Sequence, residues 1–122
     1  MTWKELEKRI QREIRPRKSA ILKADGKERR IVTSNKGGKI GMRTGKETNN
    51  TKAVTYEMIR FAFDTVSREG RFDSDDFRNG FRDKYNAAPC RFSMTGGVLV
   101  ELGIADLIPS EDETTCYYTL KK

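Results

Sequence analysis

The chain has 122 residues, of which 35% are apolar and 35% are charged, so it can bury only one modest core. It has no apolar run near the length of about eighteen residues that a membrane helix needs. It also contains no histidine, which excludes histidine-based acid–base or nucleophilic catalysis. Residues 1–52 hold 16 Lys and Arg against 6 Asp and Glu, whereas residues 53–122 hold 9 against 12. Attraction to phosphate groups is therefore concentrated in the first half.

The first predicted element is a helix over residues 2–15. Thr2 and Glu5 have the spacing of a capping box, and Pro16 ends the helix. Apolar residues recur at spacings of three and four, at Trp3, Leu6, Ile10 and Ile14. The other face is basic, and the charge continues past the helix end at Arg15, Arg17 and Lys18, so this face either is simply solvated or contacts phosphates. The N-terminus lacks the apolar stretch of a signal peptide, and we expect a cytoplasmic location.

A β unit of three strands in meander order is predicted next, over residues 19–24, 28–33 and 39–44. Asp25-Gly26 is typical of a hairpin turn, and the segment 35–38 supplies the second turn. The expected inward residues are Ile21, Ile31, Val32, Ile40 and Met42. The polar segment 45–52 has no periodicity and is predicted to be a loop.

The two hairpins carry a high density of cations, at Arg29, Arg30, Lys36, Lys39, Arg43 and Lys46. A two-stranded ribbon with this charge can lie along a phosphate backbone. No aromatic residue is interleaved with these cations, which disfavours a platform for stacking single-stranded bases. The glycines between them do not have the spacing of a phosphate-binding loop, and turn chemistry explains them.

The second half begins with a helix that Thr55 caps and Gly70 ends, followed by a short extended piece at residues 71–72. A third helix, capped by Ser74, carries Phe77, Phe81 and Tyr85 at spacings of four. A fourth helix over 92–102 precedes two strands, at 104–108 and 114–120. The expected core of this half comprises Phe63, Phe77, Phe81, Leu99 and Leu102.

The order helix, short strand, helix, turn, helix and hairpin over residues 55–122 resembles the winged helix-turn-helix superfamily. The segment 99–104, LVELGI, is similar to the LxxLG-apolar junction at which the third helix of such domains enters the wing. The expected fold class is α+β, with an N-terminal helix and a three-stranded antiparallel β unit followed by a winged helix-turn-helix. Residues 1–54 and 55–122 would form two lobes or one compact unit.

The resemblance implies that the helix before the wing enters the major groove with its N-terminal residues and that the wing touches a phosphate backbone. Carried over to this sequence, the base-reading candidates are Arg91, Ser93, Met94 and Thr95, and residues 110–114 form the wing tip. That tip carries Glu111, Asp112 and Glu113, which repel phosphates. The resemblance therefore predicts the fold better than it predicts the binding site.

We expect a non-enzymatic, DNA-binding accessory or regulatory protein that contacts mainly the phosphate backbone through its basic N-terminal half. The alternative is a protein-interaction adaptor or inhibitor, of phage or mobile-element type, whose winged-helix half binds a protein partner or a second copy. No cofactor and no metal are expected, because Cys90 and Cys116 are far apart in sequence. The acidic run Asp73, Asp75 and Asp76 precedes a helix, and capping explains it.

Overall fold

The structure is a computed structural model that describes residues 1–43, 51–111 and 115–121. The protein is a mixed α+β chain with antiparallel sheets. Its described helices are α1 (Trp3–Glu13), α2 (Tyr56–Glu69), α3 (Ser74–Gly80), α4 (Arg82–Ala87) and α5 (Arg91–Glu101). Its described strands are β1 (Ala20–Leu22), β2 (Arg29–Lys36), β3 (Lys39–Arg43), β4 (Thr51–Thr55), β5 (Arg71–Phe72), β6 (Ala105–Pro109) and β7 (Cys116–Leu120).

Helix α1 forms where the apolar spacing predicts it. The Thr2 hydroxyl accepts a hydrogen bond from the Glu5 backbone N–H at 3.3 Å, which satisfies one of the donors left free at a helix start. Leu6 and Ile10 are buried along one stripe of the helix, and Ile14 is buried just past its end. The helix ends two residues earlier than predicted, and Ile14 is already extended.

The first half contains four described strands rather than the predicted three, in the order β1-β2-β3-β4. Both predicted turns are present: Gly26 turns β1 into β2, and Gly37 and Gly38 turn β2 into β3 with positive φ angles. Strand β4 covers part of the segment predicted as a loop, because Thr51 and Lys52 pair with β3. The remainder of that predicted loop, 45–50, lies outside the described residues.

The inward side of this sheet is as predicted, with one correction. Ile21, Val32, Ile40 and Met42 are fully buried, but 42% of Ile31 is exposed. Ile31 and Val32 are neighbours on one strand, and successive side chains of a strand point to opposite faces, so only one of them can face the core. Ile31 therefore lies on the outer face of the sheet.

Helix α2 begins and ends at the predicted residues. The Thr55 hydroxyl accepts a hydrogen bond from Met58 N at 3.2 Å, and Gly70 ends the helix at φ 77°. The predicted third helix is instead two short helices, α3 and α4, because Phe81 leaves the helical region at φ −139° and ψ 57°. The cap of α3 is Asp73, in a reciprocal box with Asp76, and not Ser74 as predicted.

Strands β5, β7 and β6 form a second antiparallel sheet in that order, and α5 packs between the two sheets. The close approach is made possible by two glycines on α5. A Cβ on Gly97 would lie 2.4 Å from Ile21 Cγ2 on β1, and a Cβ on Gly96 would lie 2.1 Å from the Tyr118 ring on β7. Both halves of the chain consequently contribute to one continuous core.

The predicted core residues of the second half are buried except for one. Phe63, Phe77, Leu99 and Leu102 are buried, whereas Phe81 is half-buried at the break between α3 and α4. The Phe77 ring stacks on Phe81 at a centroid distance of 5.5 Å, so Phe81 covers the edge of this core.

Candidate nucleic-acid interface

Strand β3 carries two cations on the outer side of the four-stranded sheet. Its residues Ile40 and Met42 are buried, so the alternation of a strand directs Lys39 and Arg43 to the opposite face. Arg43 lies directly across from the exposed Ile31 on β2, and Lys39 lies across from Lys36. We call the set Arg17, Ile31, Lys36, Lys39 and Arg43 the outer basic face.

Arg17 joins this face through the turn that follows α1. A groove of about 450 Å³ is lined by residues of this turn and of β2 and β3, namely Arg17, Ile31, Val32, Thr33 and Arg43. Arg17 adopts the left-handed conformation at φ 65°, which costs a residue with a Cβ about 1–2 kcal/mol. Its backbone N–H donates to the Val32 carbonyl at 2.8 Å, which holds the turn against β2 and brings two arginines to one groove.

The turn itself is ordered by one serine. Ser19 Oγ accepts a hydrogen bond from Arg15 N at 2.8 Å and donates to the Glu13 carbonyl at 3.2 Å. Arg15 and Lys18 are exposed on either side of Arg17, and the Arg15 Nε also donates to the Arg12 carbonyl at 3.1 Å. The predicted cations Arg15, Arg17 and Lys18 thus lie on a fixed turn beside β2.

The ion pairs of the described residues do not involve the outer basic face. Among the described residues, none of its four cations forms an ion pair, whereas the α1 cations Arg9 and Arg12 both contact Glu13. The Arg9 side chain holds the pKa of Glu13 below its ordinary value through a hydrogen bond. The face therefore presents positive charge that the described part of the chain does not neutralise.

Two further predicted cations are differently placed. Arg29 is exposed, donates to the Ala20 carbonyl at 3.3 Å and lies 3.7 Å from the Glu101 carboxylate. Arg30 is buried, because its register partner Ile21 faces the core, and its Nε and Nη1 atoms have no hydrogen-bond partner in the described part of the chain. Burial lowers the pKa of Arg30. Arg30 is thus not part of the outer basic face.

The predicted base-reading residues of α5 are inside the protein. Ser93, Met94 and Thr95 are all buried. The Ser93 hydroxyl donates to the Cys90 carbonyl at 3.0 Å, and the Thr95 hydroxyl donates to the Arg91 carbonyl at 2.7 Å. These bonds satisfy polar groups within the helix, so neither side chain is available to a base edge.

Arg91 connects two elements instead of projecting into solvent. Its Nε donates to the Ala53 carbonyl on β4 at 3.1 Å, and its Nη1 donates to the Lys84 carbonyl on α4 at 3.2 Å. The half-buried guanidinium lines a small cavity with Lys39 and Lys84. Lys84 was not predicted as a site residue, because nothing in the sequence indicates that α4 approaches the first sheet.

Two predicted features lie outside the described residues. Lys46 belongs to the segment 44–50, and residues 112–114 of the predicted wing tip belong to the second gap. Of the three wing-tip carboxylates, only Glu111 is described, and it is exposed. It lines a groove with Asp73, Asp75 and Arg71 on the side of the second sheet, so this groove is largely acidic.

The candidate metal ligands in the sequence are two cysteines and the aspartates at the start of α3. Cys90 and Cys116 are free thiols, and burial raises the pKa of Cys116. At the start of α3, the carboxylates of Asp73 and Asp76 each accept a hydrogen bond from the backbone N–H of the other residue, and burial raises the pKa of Asp76. Across residues 1–43, 51–111 and 115–121, no three Cys, Asp or Glu side chains are grouped so as to hold a metal ion.

Comparison of the chain with protein-family models, with curated proteins and with solved structures gives no match. Within the residues that the structure describes, no helix has the length and apolar character needed to cross a membrane.

Proposed function

We propose that this protein is a non-enzymatic nucleic-acid-binding protein that contacts the phosphate backbone of double-stranded DNA through its outer basic face. The observation that carries the proposal is the placement of Arg17, Lys39 and Arg43 on one side of the first sheet, with no ion pair among the described residues. Lys39 and Arg43 are four residues apart on a strand, so their Cα atoms are separated by about 13 Å. That span covers several phosphates of a duplex.

The chemistry of this face favours the backbone over the bases. Ile31 is its exposed apolar residue, and no aromatic ring lines its groove, so it offers no platform on which single-stranded bases can stack. Ser93 and Thr95, the predicted base contacts, are buried. We therefore expect binding that depends on charge and salt and that differs little between DNA sequences.

We further propose that residues 55–122 form a winged helix-turn-helix used as a scaffold. The order of α2, β5, α3–α4, α5, β6 and β7 supports this proposal, as does the sheet order β5-β7-β6. In the winged helix-turn-helix superfamily, the helix before the wing enters the major groove. Here the equivalent helix, α5, is covered by the first sheet, so the DNA contact is assigned to the cations on the outside of that sheet.

The second candidate function is a protein-interaction module, and one observation favours it. Strand β6 is an edge of the second sheet, and its residues Leu107 and Ile108 line a groove of about 520 Å³ with Leu22 of β1. An exposed sheet edge beside apolar side chains is a surface to which a protein partner can add a strand. A second copy of this chain is a partner of the same kind.

The experiment that tests the proposal is a salt titration of binding. A mixed-sequence duplex with a fluorescent label is titrated with the protein at several salt concentrations between about 50 and 200 mM, the range over which phosphate contacts weaken strongly. We expect the logarithm of the affinity to fall linearly with the logarithm of the salt concentration, and a single strand of equal length to bind more weakly. Absence of binding at the lowest salt would reject the proposal in favour of the protein-interaction module.

A further inference from the structure

A small cavity lies where the edge of the first sheet meets α4 and α5. It has a volume of about 130 Å³ and is lined by Lys39, Ala53, Thr55, Met58, Lys84 and Arg91. A single water needs only about 10–15 Å³ of such volume, so the cavity has room for a small polyatomic ion. Of the six lining residues that the structure describes, three are cations and none is acidic.

The three cations come from separate elements, and the fold places their backbones around the cavity. Arg91 is fixed by its hydrogen bonds to the Ala53 and Lys84 carbonyls, at 3.1 and 3.2 Å. Lys39 is positioned by β3, where it lies across from Thr55, and Lys84 is positioned by α4. None of the three forms an ion pair with a carboxylate in the described parts of the chain. Like charges around one cavity repel each other, and an anion between them removes that cost.

The neutral lining of the cavity also suits an anion. Thr55 Oγ1 accepts its hydrogen bond from Met58 N at 3.2 Å, so its O–H remains a donor. Thr55 also marks the N-terminus of the 14-residue helix α2, where the backbone dipoles add partial positive charge. Ammonium groups, a guanidinium and a hydroxyl are the donors that proteins use for phosphate.

We propose that this cavity is a binding site for a phosphate group, held by Lys39, Lys84 and Arg91. The phosphate group belongs either to a small molecule (inorganic phosphate or a phosphomonoester) or to a phosphodiester of a nucleic acid. The proposal does not require the outer basic face to bind DNA, because the cavity and its donors form without Arg17, Lys36 or Arg43. It assigns a function to Lys84, which has no other role in the candidate interface.

The test uses the whole protein and inorganic phosphate as the probe. Melting temperature is measured against phosphate concentration, with chloride at equal ionic strength as the reference. A ligand that binds only the folded state raises the melting temperature as its concentration exceeds its dissociation constant. We expect Lys84→Ala to weaken phosphate binding by about tenfold, which corresponds to one charge-assisted hydrogen bond. Lys84 is exposed and its carbonyl is kept, so this variant retains the Arg91 contact.

The matched control is Lys8→Ala, which removes an exposed lysine of α1 that neither lines the cavity nor belongs to the outer basic face. It should leave the phosphate response unchanged. If phosphate has no effect beyond chloride but Lys84→Ala reduces the salt slope of DNA binding by about one, the ligand is a phosphodiester. An unchanged phosphate response in Lys84→Ala would overturn the site. The site would also be overturned if phosphate left the wild-type melting temperature unchanged and Lys84→Ala left the salt slope of DNA binding unchanged.

Discussion

The outer face of the first sheet and helix α5 carry the two sets of residues that the sequence offers for nucleic-acid contact, and their surroundings differ. On β3, Lys39 and Arg43 face outward because Ile40 and Met42, which lie between them, are buried, and successive side chains of a strand point to opposite faces. On α5, eight consecutive residues from Phe92 to Leu99 are buried, so the helix has almost no free side in its first two turns. A resemblance in element order therefore locates a helix in the chain, but it does not show that the helix is exposed.

The difference follows from what covers each element. Sequence charge is a guide to the surface, because a lysine or arginine is rarely buried without a partner. Arg30 is an exception, since its buried Nε and Nη1 atoms have no hydrogen-bond partner among the residues that the structure describes. Small and hydroxyl-bearing residues fit either a DNA-reading helix or a tightly packed one, and α5 carries Ser93, Thr95, Gly96 and Gly97. Only the fold distinguishes these two possibilities.

The largest expected effect is on the free energy of unfolding, and it tests whether residues 1–54 and 55–122 share one core. Leu99→Ala should lower the free energy of unfolding by about 2–5 kcal/mol, because it leaves a cavity at a fully buried site. Trp3, the only tryptophan, lies on α1 in the other half, and its fluorescence should report the same lowered midpoint as far-UV circular dichroism. The control Val100→Ala removes a half-buried side chain and should cost less. A Trp3 transition that stays at the wild-type midpoint would show that the halves unfold independently.

Much of this core could be predicted from the sequence, because hydrophobic spacing records which side of an element is buried. The spacing gives α1, α2 and the inward residues Ile21 and Met42 correctly. The hydrophobic spacing cannot predict β4, because Thr51 and Lys52 are polar and lack the alternation of a strand. These two residues form a strand by pairing with β3, a neighbour that their own local sequence does not specify. It also cannot give the meeting of Lys39, Lys84 and Arg91, which depends on how α4 and α5 pack against the first sheet.

The second prediction concerns the buried cation beneath the outer basic face. Arg30→Met should raise the free energy of unfolding by about 1–3 kcal/mol, because it replaces unpartnered buried donors with an apolar chain of similar length. The matched control is Arg29→Met at the preceding residue. Arg29 is exposed, so its substitution should change the free energy of unfolding by less than about 0.5 kcal/mol. A destabilised Arg30→Met variant would mean that the guanidinium has a stabilising partner.

The smallest expected effect tests the burial of α5 against β7. Tyr118 is buried beside α5, its hydroxyl donates to the Ser93 carbonyl at 3.3 Å, and burial raises its pKa well above the ordinary value. A raised folded-state pKa makes stability fully present below about pH 10 and lost as the pH rises further, by up to about 1.4 kcal/mol per pH unit. Urea unfolding across this range should show a shallower decline in Tyr118→Phe than in the wild type. Equal slopes would indicate that Tyr118 ionises freely in the folded protein.

The central claim is that DNA contacts mainly the outer basic face of the first sheet and not the exposed arginines of α2, α3 and α4. The most direct test compares the salt slope of DNA binding for two triple variants, each of which removes three exposed or half-buried cations. One is Arg17→Ala, Lys36→Ala and Arg43→Ala on the outer basic face, and the other is Arg68→Ala, Arg78→Ala and Arg82→Ala in the second half. The first should bind more weakly to every duplex sequence, with a slope shallower by about three, while the second keeps nearly the wild-type slope. The reverse pattern, with the slope lost only in the second variant, would contradict this assignment.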